Sequence, residues 1–81
     1  MTYSIIFVTC PDSKSARKIS NELLKKKLVA CINKTKITSE YLWKGKIKKR
    51  DEILMIIKTR YNLLGKIQKE VGKLHPYDVP E

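Results

Sequence analysis

Apolar positions along the chain change period three times, and each change marks a new kind of element. Residues 3–9, YSIIFVT, form a β-branched and aromatic run that predicts a strand ending at Pro11. Asp12 or Ser13 follows, and either side chain can cap a helix by accepting a hydrogen bond from a free backbone N–H. Ala16, Ile19, Leu23 and Leu24 then recur at helical spacing, with Lys14, Lys18 and Lys25 toward the other side. This predicts an amphipathic helix ending near Leu28. From Val29 to about Trp43 the pattern is again strand-like, through Cys31, Ile32, Ile37, Tyr41 and Leu42. WKGK supplies a turn at Gly45, where a tight hairpin demands positive φ. The return arm passes Ile47 and the charged KKRDE into ILMIIKT. Leu63, Leu64, Ile67, Val71 and Leu74 predict a second helix, weakened by Gly65 and Gly72 and stopped by Pro76. His75, just before that proline, is biased toward an extended conformation.

The order β-α-β-β-α matches the first five elements of a ferredoxin-like βαββα(β) two-layer sandwich of the α+β class, with a long β-hairpin and the final strand missing. One domain over residues 1–81 is expected. In this topology the first and third strands are neighbours and the second lies beyond the third. Cys10 and Cys31 then sit on strands roughly 9–10 Å apart, beyond the reach of a disulfide. Both are read as reduced thiols, and neither belongs to a C-x-x-C motif.

Two features of the pattern point to self-association. Two helices cover one face of the sheet, yet IIFV and ILMII are continuous apolar runs, so both faces of the central strands are hydrophobic. A second copy is the simplest cover for the other face. The hairpin arms, at about fourteen residues, span roughly 46 Å, whereas the first strand spans roughly 23 Å. The far half of the hairpin therefore projects, and an isolated two-stranded ribbon is at best marginally stable. Tyr41, Leu42, Trp43 and Ile47 would make the contact with a neighbour.

Charge modifies this picture more than composition does. The net charge is +10, from 18 basic and 8 acidic residues. Such a field attracts anions without specifying them; a solvated lysine coat is the plainer reading, and nucleic acid is disfavoured as a partner. The longest apolar run, Ile53–Ile57, is far too short to cross a bilayer. The N-terminal MTYSIIFVTC lacks the basic opening and apolar length of a signal peptide, so a cytoplasmic location is expected. A single histidine, no glycine-rich phosphate loop and no nucleophile–base motif argue against an enzyme.

VTCPD (8–12), LVACIN (28–33), ITSEYLWKGKI (37–47), EILMIIKT (52–59) and HPYDVPE (75–81) together resemble the CutA family, the divalent-cation tolerance proteins. The resemblance covers most of the chain. It implies a ferredoxin-like homotrimer locked by long hairpins, a role in tolerance of divalent metal ions, and copper binding. It also implies an assembly like that of PII-type signalling trimers, which bind small ligands between subunits. In the family the corresponding cleft is lined by residues matching Trp43, Lys58, His75, Tyr77 and Glu81. Two departures stand out. The return arm reads KIKKRDE where the family is usually acidic, which favours an anionic partner there. The chain also ends where the family continues into another strand and a short helix, so it is expected to be a fragment with an unpaired first-strand edge.

Among candidate ligands, His75 offers an imidazole suited to copper or zinc, and Asp78 or Glu81 lies within reach of an extended chain. Cys10, a soft ligand before a helix N-terminus, is placed to join with a lowered pKa. The plainer readings are a histidine ending a helix and cysteines serving as small core residues, Cys31 above all. A sound site needs three or four ligands, so any copper or other divalent cation is expected to be weakly held. Tyr41 and Trp43 alternate on one side of the hairpin beside Lys44 and Lys46, poised to stack or to pack on another subunit. Lys58 either meets an anion at a cleft or is an ordinary strand-end lysine.

Overall fold

A computed structural model describes residues 2–75. Tyr77, Asp78 and Glu81 lie outside the described residues. The elements are β1 (Tyr3–Cys10), α1 (Ser13–Lys25), β2 (Cys31–Trp43), β3 (Lys46–Arg60), a single 3-10 turn (Tyr61–Leu63) and α2 (Leu64–Leu74). The strands form one antiparallel sheet in the order β1-β3-β2, with both helices on one face. This is the ferredoxin-like α+β arrangement.

Alternation along β3 decides which side chains enter the core. Met55, Ile57 and Thr59 are buried beneath the helices, as are Val8 and Cys10 from β1. Ala16, Ile19 and Leu23 from α1 and Ile67 and Val71 from α2 complete the cluster. Asp12, rather than Ser13, caps α1: its carboxylate accepts from the Ser15 N–H at 2.8 Å. That bond holds the Asp12 carboxyl below its ordinary pKa.

α1 ends three residues before Leu28, because the chain turns into a Schellman motif there. The Leu28 N–H reaches the Leu23 carbonyl and the Lys27 N–H reaches the Leu24 carbonyl, both at 3.0 Å. This closure forces Lys27 to φ 56°, a left-handed conformation that costs an L-residue roughly 1–2 kcal/mol. Lys27→Gly is expected to stabilise the fold by about 0.5–1 kcal/mol after glycine's larger unfolded-state entropy is set against the relieved strain. A rise in the urea midpoint at unchanged slope would register it. The hairpin turn solves a similar problem at Lys44 (φ 52°) and Gly45 (φ 76°), the two left-handed positions of a type I′ turn.

The second sheet face is uncovered. Ile5 and Phe7 are 58% and 61% exposed, beside Tyr3 on the same face of β1. Beyond residue 40 the ribbon has no helix behind it, and Leu42 and Ile47 are 75% and 70% exposed. Its projection gives the molecule a long dimension of 44 Å against 23 and 21 Å. Among the described residues β1 is an edge strand, and a groove of about 350 Å³ runs between that edge and α2, lined by Ile6, Val8, Ile67 and Val71. One expectation needs correction. Cys31 is exposed rather than core, because it sits opposite Lys58 on the uncovered face. His75 does end α2, its backbone N–H donating to the Val71 carbonyl at 2.8 Å, but its ring is buried against β1.

Candidate functional site

β1 and the end of α2 bring two candidate ligands into one neighbourhood. His75 Nε2 lies 2.6 Å from the Thr9 carbonyl. A carbonyl only accepts, so Nε2 carries the hydrogen and a metal must use Nδ1 or displace this contact. Thr9 Oγ1 is buried without a partner among the described residues. The next residue, Cys10, turns the other way. Its thiol is fully buried on the helix side, 3.6 Å from Met55 Sδ.

The expected activation of Cys10 does not occur. Burial, followed by the nearby Asp12 and Glu52 carboxylates, pushes its pKa up from 9.0 to about 11. Neutral thiol is a poor metal ligand, so binding at Cys10 must overcome a firmly held proton. The shift also has a sign for stability. The unfolded thiol ionises near its ordinary value while the folded one stays protonated, so folding stability is lost as pH rises from about 9 to 11. The slope is at most about 1.4 kcal/mol per pH unit. Urea titrations of the native chain and Cys10→Ala at pH 8 and pH 10 are expected to show a steeper alkaline loss for the native chain, because the variant lacks this contribution.

Among the described residues no group of three or more His, Cys, Asp or Glu side chains could hold a metal ion. The cleft residues are also dispersed within one chain. Lys58 is exposed opposite both Ile5 and Cys31, whereas Trp43 lies twelve residues beyond Cys31 on the same strand. At strand rise that is roughly 40 Å, so Trp43 and Lys58 of one chain cannot line one small cleft.

On the ribbon, the four candidate contact residues divide between two faces. Tyr41 and Trp43 stand opposite Lys48 and Lys46 on the uncovered-sheet side, while Leu42 and Ile47 pair on the other. Arg50 lies 5.7 Å from the Tyr41 ring and Lys44 5.9 Å from the Trp43 ring, so cations already occupy part of both aromatic surfaces. Arg17, Lys34 and Lys36, which the sequence did not single out, converge on a separate groove beside α1. The alternation of Lys34 and Lys36 in a strand was the available signal.

Comparison with known proteins supplies what the geometry alone does not. The family model for the CutA1 divalent ion tolerance protein matches residues 4–81. Protein CutA of Mus musculus is 46% identical over 79 residues, which is 96% of this chain but 45% of that protein's length. The chain thus spans less than half of that mammalian relative. The divalent-cation tolerance protein CutA of Pyrococcus horikoshii is 42% identical over 76 residues, covering 94% of this chain and 74% of that protein. Among solved structures, divalent ion tolerance protein CutA1 from Ehrlichia chaffeensis superposes with a TM-score of 0.94 at 37% identity, over 99% of this chain and 76% of that one. The periplasmic divalent cation tolerance protein CutA from Archaeoglobus fulgidus gives 0.92 at 38%, over 98% and 78%. With a matching fold, near-complete coverage and these identities, the chain belongs to the CutA1 divalent ion tolerance family.

Proposed function

We propose that the chain is a single-domain, homotrimeric CutA-type binding protein that works in the cytoplasm in tolerance of divalent metal ions, binds copper weakly, and is not an enzyme. The observation that carries this reading is the uncovered apolar sheet face. Tyr3, Ile5 and Phe7 are largely exposed in a chain that superposes closely on its relatives over the part they share. Burying that face between copies removes about 25 cal/mol of unfavourable hydration per Å². Association also shelters the ribbon and lets Trp43 of one copy approach Lys58 and His75 of another. Tyr77 and Glu81 are proposed to complete that cleft.

Within the assembly His75, Cys10 and Glu81 are the proposed copper ligands. Imidazole and thiolate suit copper, and the ion would be held by coordination to these donors with no turnover. The protonated thiol and the +10 charge both favour weak binding. His75→Ala is expected to weaken Cu(II) uptake at least tenfold in a calorimetric titration; unchanged affinity would overturn His75 as a ligand. A second reading, a PII-like sensor of an anionic small molecule, is favoured by Lys58, which is exposed on the uncovered face with no carboxylate in ion-pairing distance among the described residues. An anion affinity that survives His75→Ala but falls in Lys58→Gln supports it.

A further inference from the structure

Away from the uncovered face, on the helix side, a groove of about 250 Å³ separates the first turn of α1 from β2. Ser13 and Arg17 stand on one wall, Lys34 and Lys36 on the other, and Ala16 and Ile53 form an apolar floor. The alternation of β2 places Lys34 and Lys36 on one face, opposite Met55 and Ile53. Lys34 is near enough to the core to counter, in part, the rise in the Cys10 pKa.

What sets these three cations apart is their convergence on one groove. Lys26 and Lys73 are neutralised by Glu22 and Glu70. Arg17, Lys34 and Lys36 make no ion pair among the described residues, although the carboxylates of Asp12, which caps α1, and of Asp51 and Glu52 line the adjoining groove and offset part of their field. Three like charges facing one concavity repel one another, and a low-dielectric floor focuses their field. Bringing an anion between them relieves that repulsion. The guanidinium can give a two-pronged contact to a tetrahedral oxyanion, with the lysines acting as point charges. The groove is smaller than the roughly 300–1,000 Å³ typical of sites for drug-sized ligands, which fits a phosphoryl group with little attached to it.

We propose that this groove binds a small phosphoryl anion through Arg17, Lys34 and Lys36, with the Ser13 hydroxyl as a donor. The site is distinct from the His75 neighbourhood and does not depend on the metal reading. Amide chemical shifts of the full chain, followed during titration with inorganic phosphate and separately with glycerol phosphate, test it. Saturable shifts centred on residues 13–17 and 34–36 are expected, with affinity at least tenfold weaker in Lys34→Gln/Lys36→Gln. Lys66→Gln/Lys69→Gln on α2 removes the same charge elsewhere and is expected to stay within twofold of the native chain. Tighter binding of glycerol phosphate identifies an ester as the source, and equal binding identifies free phosphate. Unsaturable shifts spread over all lysines, or equal weakening in the two double variants, would overturn the proposal.

Discussion

Replacing Ile57 by alanine is expected to destabilise the fold by about 2–5 kcal/mol, enough to unfold much of an 81-residue chain. Ile57 lies on the central strand, opposite Ile6 of β1 and Ile32 of β2, and is fully buried beneath the helices. Truncation therefore opens a cavity where sheet and helices meet, and rigid neighbours on both sides limit collapse into it. Leu24→Ala is the matched control. That leucine is 48% exposed on α1, and alanine is the better helix former, so a change within about 0.5 kcal/mol is expected. Urea unfolding followed by far-UV circular dichroism distinguishes the two. Similar midpoints for both variants would mean that the core is not organised around β3.

Phe7→Lys is expected to have the opposite profile. The ring is 61% exposed in the single chain and faces away from both helices, so a lysine there leaves the subunit's own core intact. In the proposed trimer the same position is buried, and three unpaired ammonium groups would be forced together. Burial of an uncompensated charge costs several kcal/mol per ion. The expected outcome is a folded monomer, seen as native-like circular dichroism with a threefold lower mass by light scattering. Loss of secondary structure would place Phe7 in the subunit core instead, and an unchanged mass would remove this face from the interface.

Much of the fold was legible because periodicity and topology agree. The amphipathic spacing of Ile19 and Leu23, the Gly45 turn and the apolar run through Ile57 fix two helices and three strands. The strand order then keeps Cys10 and Cys31 apart. Exposed Ile5 and Phe7 were visible as an apolar run too long for one covered face. What escaped depends on tertiary contacts that no local pattern encodes. Cys31 looks like a core residue by its apolar neighbours, but the side of the sheet on which it falls is set by register with Lys58. The Cys10 pKa follows its surroundings, where burial outweighs proximity to a helix N-terminus. His75 reads as a helix end, and only the return of α2 across the sheet brings it to Thr9. Arg17 and Lys34 are far apart in sequence and line one groove only because the fold brings the start of α1 alongside β2.

Native mass spectrometry of the 81-residue chain tests most directly whether the uncovered sheet face is an interface between copies. The expected species is three times the 9.4 kDa chain mass, converted to a folded single chain by Phe7→Lys. A native chain that stays monomeric and folded at micromolar concentration would contradict the trimer, and with it the cleft assembled from Trp43, Lys58 and His75.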